Sequence, residues 1–236
     1  LGTTRAQWDA AVAADPALPA LLDGLHFHTL CEQDADALAV TLDAVADKFG
    51  DLLSKMQWLN FGGGHHITRP GYNMTTLERC IRRAHQDWGV TVYLEPGEAC
   101  ALNAGYLLTR VLDVVQNGDT TIAILDTSAA CHMPDVIEMP YRPPLLGAGE
   151  PGEKACTVRL AGPTCLAGDV IGDYSFDAVP AVGDLLVFGD MAIYTTCKNN
   201  TFNGMPLPAI YARRPDGTTW EITTFGYSNF KHRVGK

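Results

Sequence analysis

Trp58-Leu59-Asn60-Phe61-Gly62-Gly63-Gly64-His65-His66 is an apolar run that stops at three consecutive glycines, and the fold turns on it. The run reads as a buried strand. Glycine has no Cβ, so the backbone beyond the strand can take positive φ and let another group approach its N–H donors. A row of free amides at a strand end is a concavity suited to an anion such as a phosphate. Taken alone, the glycines describe a mobile loop as well as a ligand site. The segments on either side separate the two.

Upstream, Thr4 to Ala14 reads as a helix closed by Asp15-Pro16, and Gly24 to Thr29 as a strand. Asp34 to Phe49 carries Leu38, Leu42, Val45 and Phe49 at helical spacing, with Gly50 as the expected stop. Gln57 to Phe61 is the next strand. Thr75 to Trp88 follows as a helix with Gly89 as its C-cap, then Val90 to Leu94 as a strand ending in Glu95-Pro96-Gly97. Strands alternating with helices over such short connections imply a parallel α/β sheet or barrel. Three strands are too few to close a (β/α)8 barrel, which takes eight strands and about 250 residues. A small open sheet, or the back part of a larger barrel, satisfies that count.

Beyond Val111 the rhythm becomes β. Val111 to Val115 and Thr121 to Leu125 flank Asn117-Gly118, the signature of a hairpin turn. Cys156 to Leu160, Asp184 to Val187 and Thr219 to Thr223 are further short strands between crowded turns. The expectation is an α/β part over 1–106 followed by a mostly-β sandwich or small barrel over 107–236.

The chain has 236 residues, 47% apolar and 19% charged, in the range of a globular protein with a real core. Its net charge of −10 and the lack of any Lys/Arg block argue against nucleic-acid and anionic-membrane partners and suit a cationic substrate. No apolar run approaches the roughly 18 residues of a membrane span. The stretch Leu1-Gly2-Thr3-Thr4-Arg5 has neither signal-peptide architecture nor an initiator Met. Seven scattered cysteines without a CxxC pair suggest a reducing, cytoplasmic setting.

In parallel α/β folds, function gathers at the C-terminal ends of strands. Those ends here carry His26-Phe27-His28, then Gly62-Gly63-Gly64-His65-His66, then Glu95-Pro96-Gly97-Glu98. An imidazole, an amide cradle and a carboxylate at neighbouring tips could hold a flat, phosphorylated, nitrogen-containing ring, which describes pyridoxal 5'-phosphate (PLP). Zinc on His26, His28, His65 and His66 is the competing reading. Adjacent strand residues face opposite ways and no HExxH spacing is present, so no metal is expected.

Gly162-Pro163-Thr164-Cys165-Leu166-Ala167-Gly168-Asp169, Phe188 to Thr195 and Thr201-Phe202-Asn203-Gly204 complete the pattern. Together the motifs resemble the fold type III, alanine-racemase-like PLP decarboxylases, which include ornithine and diaminopimelate decarboxylases. Leu125-Asp126-Thr127-Ser128, Cys131 to Asp135 and Glu138 to Pro143 resemble the carboxynorspermidine (carboxyspermidine) decarboxylase branch, over essentially the whole chain.

The resemblance implies the back part of a PLP-binding barrel followed by a β domain lending active-site loops. It implies a homodimer with shared sites and a polyamine-like substrate decarboxylated in polyamine biosynthesis. His28 resembles the imidazole stacked on the pyridine. Gly62, Gly63 and Gly64 resemble the phosphate turn, and Tyr194 a phosphate ligand. Glu95 resembles the partner of the ring nitrogen, and Cys165 a thiol that protonates in the neighbouring subunit's site. Glu98, Asp135 and Asp126 are candidates for the substrate's cationic nitrogens, since buried charges need partners.

The chain departs from ornithine decarboxylase relatives in three places. Leu30-Cys31 replaces a Gly-Ser, Glu98 replaces an Arg, and Leu166 replaces an acid. These changes favour the carboxynorspermidine branch. Relatives also hold PLP through a Schiff base on a lysine after the first barrel strand. None of Lys48, Lys55, Lys154, Lys198, Lys231 and Lys236 has that context, with Lys198 the one stand-in. A PLP-binding, non-catalytic homologue and a diaminopimelate- or ornithine-type decarboxylase are the alternatives.

Overall fold

The computed structural model describes residues 2–235, which divide into two compact units at the boundary between Leu102 and Asn103. The first opens with α1 (Arg5–Ala14), capped by Thr4 and Gln7 in a reciprocal capping box. It continues through β1 (Gly24–His26), α2 (Ala35–Leu53), β2 (Trp58–Asn60), α3 (Met74–Trp88), β3 (Thr91–Tyr93) and α4 (Gly97–Ala101). The strands form one parallel sheet in the order β1-β2-β3.

Register sorts the faces of this sheet. Leu25, Leu59 and Val92 lie side by side and pack into the core with Leu38 and Leu42 of α2 and Leu77 and Cys80 of α3. Each fully buried Leu of this kind contributes about 1.5–3 kcal/mol. The opposite rows, Gly24-Trp58-Thr91 and His26-Asn60-Tyr93, lie on the face away from the helices. Gly24 is there because a Cβ would stand 2.0 Å from the Trp58 indole.

Two expectations for this unit change. Helix α2 does not stop at Gly50 but runs to Leu53, with Ser54 as C-cap. A helical glycine costs about 1 kcal/mol, less than is gained by burying Leu52 and Leu53, which are 7% and 0% exposed. The regular strands are also three residues each, shorter than the apolar runs. Phe27 N–H to the Asn60 carbonyl and Phe61 N–H to the Tyr93 carbonyl carry the ladder one residue further, and Glu95 N–H to the Gly62 carbonyl ties β3 to the glycine turn.

The second unit contains β4 (Leu107–Asn117), β5 (Thr120–Leu125), α5 (Ala129–His132), α6 (Asp135–Glu138), β6 (Cys156–Ala161), β7 (Val170–Phe176) and β8 (Leu185–Phe188). Then come α7 (Thr195–Lys198), β9 (Ile210–Arg213), β10 (Thr219–Thr223) and α8 (Tyr227–Val234). Five strands form a sheet in the order β7-β6-β5-β4-β8, and β9 pairs with β10 alone. Segment 144–149 bonds to both edges of the five-stranded sheet. Leu145 bridges to Phe188 of β8, and Gly149 exchanges both backbone hydrogen bonds with Ser175 of β7. Of the two β architectures expected, this is a small barrel, closed by an irregular strap, around Leu125, Leu160, Tyr174 and Phe188.

The β4–β5 turn is shifted by one residue from expectation. Asn117 pairs with Thr120, so the two loop residues are Gly118 and Asp119. Gly118 takes φ +56° at the first of them, the left-handed geometry a tight hairpin demands. Strands β5 and β6 are parallel, which forces a long connection. That connection holds α5, α6 and the strap. Among the described residues, no helix is long and apolar enough to cross a membrane.

Candidate cofactor and active site

In the first unit, the tips of β1, β2 and β3 meet around the glycine turn. Gly62 and Gly64 take φ of +71° and +81°. All three glycines lie tight against the segments leaving β1 and β3. A Cβ on Gly62 would come 2.3 Å from the Phe27 carbonyl, on Gly63 2.9 Å from the Glu95 carbonyl and His28 Cε1, and on Gly64 2.3 Å from the Leu30 carbonyl. No side chain fits there without displacing that backbone.

Donors and acceptors converge on the same spot. Ligand atoms of His26, His28 and Glu95 all lie within 4.8 Å of one another, and all three side chains are exposed. His28 Nδ1 lies 3.4 Å from the Gly63 nitrogen and accepts its N–H. Asn60 reaches both ways, accepting the Gly62 N–H on Oδ1 at 2.8 Å and donating from Nδ2 to Glu95 Oε1 at 2.7 Å. The expected row of free amides is therefore interrupted at Gly62 and Gly63, whose donors are satisfied by Asn60 and His28 inside the protein. A cavity of about 240 Å³, lined by Trp58, Asn60 and Tyr93, opens beside this group.

The neighbouring histidines do other work. His65 is buried, with Nε2 3.2 Å from the Phe61 carbonyl, and burial pushes its pKa down. His66 is buried with Nε2 3.1 Å from Glu98 Oε2. Neither joins His26 and His28, so the four-histidine zinc set is not assembled.

In the second unit, Cys165 is an exposed free thiol on the loop between β6 and β7. That loop is held by Asp169, which is 3% exposed. Its Oδ2 accepts from the Thr164 hydroxyl at 2.6 Å and the Thr164 N–H at 3.2 Å. Its Oδ1 accepts from the Ser128 hydroxyl at 2.9 Å and the Ala130 N–H at 3.2 Å, tying the loop to the start of α5. Tyr194 caps α7 with φ +53° and ψ −51°, a strained backbone for a tyrosine, and its ring is exposed.

Two candidate acids already have partners. Asp126 Oδ1 accepts from the Thr109 hydroxyl at 2.6 Å and the Arg110 N–H at 2.8 Å. Asp135 and Glu138 both grip Lys198, whose pKa they raise. An ammonium held protonated by two carboxylates is a poor nucleophile, which argues against Lys198 as the covalent anchor. Lys236 lies outside the described residues.

Residues 13–192 match the family model described as pyridoxal-dependent decarboxylase, C-terminal sheet domain. The chain belongs to the pyridoxal-dependent decarboxylases. Its fold is that of the fold type III enzymes, the back part of a (β/α)8 barrel followed by a mostly-β domain. A carboxynorspermidine/carboxyspermidine decarboxylase of Campylobacter jejuni is 43% identical over 223 residues, 90% of this chain and 58% of that protein. A carboxyaminopropylagmatine decarboxylase of Synechocystis sp. is 43% identical over 219 residues, 92% of this chain and 57% of that protein. The crystal structure of carboxynorspermidine decarboxylase complexed with norspermidine from C. jejuni aligns with a TM-score of 0.81 at 43% identity, covering 89% of this chain and 60% of that one. The chain spans less than two thirds of the length of these pyridoxal-dependent relatives.

The residues at the strand tips fit the family's cofactor. Glu95 offers a carboxylate for a ring N–H and His28 an imidazole face, and both stand against a glycine turn packed too closely on the backbone leaving β1 and β3 to carry side chains of its own. Asn60 and Asp169 were not among the residues singled out in the sequence. For Asn60 a signal exists, since it stands two residues from Trp58 on the same face and two before Gly62. Asp169 closes the Gly162–Asp169 motif and bonds Thr164 within it, but its tether to Ser128 and Ala130 left no signal, because those partners are distant in sequence.

Proposed function

We propose that the protein removes the carboxylate of carboxynorspermidine or carboxyspermidine as CO₂, releasing norspermidine or spermidine for polyamine biosynthesis. The carrying observation is the convergence of His28, the glycine turn and Glu95 on one spot, in a chain 43% identical to the Campylobacter decarboxylase. Bound PLP would supply an electron-poor ring that takes up the electron pair left when CO₂ departs. Glu95 would accept the ring N–H and so keep the ring nitrogen protonated. His28 would lie against the ring face. The glycine turn, through Gly62, Gly63 and Gly64, and the Tyr194 hydroxyl hold the phosphate.

Cys165 delivers the proton that replaces the carboxylate, from one subunit of a homodimer into its partner's site. Glu98, Asp135 and Asp126 receive the cationic nitrogens of the polyamine-like substrate. At Asp135 a substrate ammonium would take the place of the Lys198 ammonium. Residues 1–106 form the back of the PLP-binding barrel and 107–236 the β domain that lends Cys165 and Tyr194. The compartment is the cytoplasm, which suits a chain whose seven cysteines are scattered and form no CxxC pair.

The test follows CO₂ release by the full-length gene product from carboxynorspermidine, carboxyspermidine, carboxyaminopropylagmatine, ornithine and diaminopimelate. The first two should be turned over fastest, and Glu95→Gln and Cys165→Ala should each lower kcat by about tenfold or more. Preference for any of the other three overturns the substrate. Unchanged turnover in both variants overturns the residue roles.

A further inference from the structure

Asn60 ends β2, the middle strand, in register with His26 on one side and Tyr93 on the other. Its two partners dictate how the amide sits. The Gly62 N–H requires the oxygen at 2.8 Å, and the Glu95 carboxylate requires the NH₂ at 2.7 Å. A flipped amide would set oxygen against carboxylate and NH₂ against N–H, so the orientation is fixed by chemistry. His26 Nε2 stands 3.6 Å from the same Glu95 oxygen, beyond hydrogen-bond length. Asn60 is thus the side chain that braces Glu95 by a hydrogen bond and also settles the first amide of the glycine turn.

We propose that Asn60 is a positioning residue that makes one bonded unit of the two grips on the cofactor. Holding Glu95 by Oε1 leaves Oε2 to accept the ring N–H. Bonding Gly62 fixes the entry to the turn that takes the phosphate. An exposed Glu side chain left to itself samples several rotamers, and ordering it on binding costs conformational entropy. Asn60 orders it in advance. The inference rests on the reading of Glu95 as the ring's partner.

Two variants separate the halves of the role. Asn60→Leu removes both bonds. Asn60→Asp keeps an acceptor for the Gly62 N–H and turns the Glu95 contact into carboxylate against carboxylate. The measurements are PLP affinity of the full-length protein by cofactor fluorescence, the pH dependence of the bound cofactor's absorbance, and hydrogen exchange at the Gly62 amide. Asn60→Leu should weaken PLP by about tenfold to a hundredfold, the loss expected for a bond to a charged group, and speed Gly62 exchange. Asn60→Asp should keep Gly62 protected, weaken PLP at pH 8, and recover affinity as pH falls and the paired carboxylates share a proton.

PLP affinity within threefold of wild type in both variants, with Glu95→Gln still shifting absorbance and affinity, overturns the role of Asn60 and leaves the proposed function standing. If Glu95→Gln also changes neither, the reading of Glu95 itself fails, and the inference with it.

Discussion

Replacing Asp169 tests how the Cys165 loop is held. Its carboxylate takes four donors, two from Thr164 and one each from Ser128 and Ala130. Asp169→Ala strands them all, but unequally. Ala130 and Thr164 are partly exposed and can turn to water, whereas Ser128 is 0% exposed and cannot. A buried donor left unsatisfied costs about 1–3 kcal/mol, and the lost charge-assisted bonds add to that without being additive. Relief of the carboxylate's own desolvation subtracts from it. The net expectation is a loss of about 3 kcal/mol, or about 6–12 °C in melting temperature for a protein of this size.

Asp169→Asn separates charge from shape. Its oxygen can keep Ser128 and Ala130 while its NH₂ confronts the Thr164 N–H, so the loss should be about 1–2 kcal/mol. The assay is urea and thermal denaturation, with hydrogen exchange at Ala130 and Thr164. Both amides should exchange faster in Asp169→Ala, and Thr164 alone in Asp169→Asn. Both variants within 0.5 kcal/mol of wild type, with both amides still protected, would refute the tether.

Gly24→Ala puts a methyl 2.0 Å from the Trp58 ring and should cost about 2–3 kcal/mol, read by thermal denaturation; a loss below about 0.5 kcal/mol would show that the indole moves aside freely. His65 and His132 are buried, and burial lowers the pKa of each from 6.5. His132 Nδ1 faces the Thr127 hydroxyl at 2.8 Å and the Ser128 N–H at 3.3 Å, and Nε2 faces the Pro206 carbonyl at 2.9 Å. A folded value below the unfolded one means that the unfolded chain binds more protons as pH falls. Stability is then full above about pH 6.5 and is lost below it, by as much as about 1.4 kcal/mol per histidine at pH 5.5. The urea midpoint should fall between pH 7.5 and 5.5, less steeply in His132→Gln, and an unchanged midpoint in wild type would defeat this account.

Much of the fold was legible because its signals are local. The period of apolar residues placed α2 and α3, and Gly89 ended α3 with φ +72°. Gly50 misled because a glycine's weak local preference gives way to burial of Leu52 and Leu53, which depends on what packs against them. The Asn117-Gly118 pair marked the hairpin, but the shift of its turn by one residue depends on which residues pair across it. The strap at 144–149 carries no strand pattern, since its bonds go to two edges rather than along one ladder. At the site, the strand tips could be named from the sequence, but the commitment of Asp135 to Lys198 could not, the two lying on separate short helices.

By itself, the sequence determined that three strand ends carry an imidazole, a glycine run and a carboxylate, and that a β half follows with a Cys-bearing loop. These are properties of short stretches, expressed through periodicity and through the backbone freedom of glycine. Only the tertiary structure decided how those ends are joined. Asn60 and Glu95 meet across 35 positions of chain, and Ser128 and Asp169 across 41. Such bonds arise from the register of neighbouring strands and the course of loops, which no local pattern records. The glycine turn is therefore more than a cradle at the end of β2: through Asn60 it is bonded to the carboxylate at the end of β3.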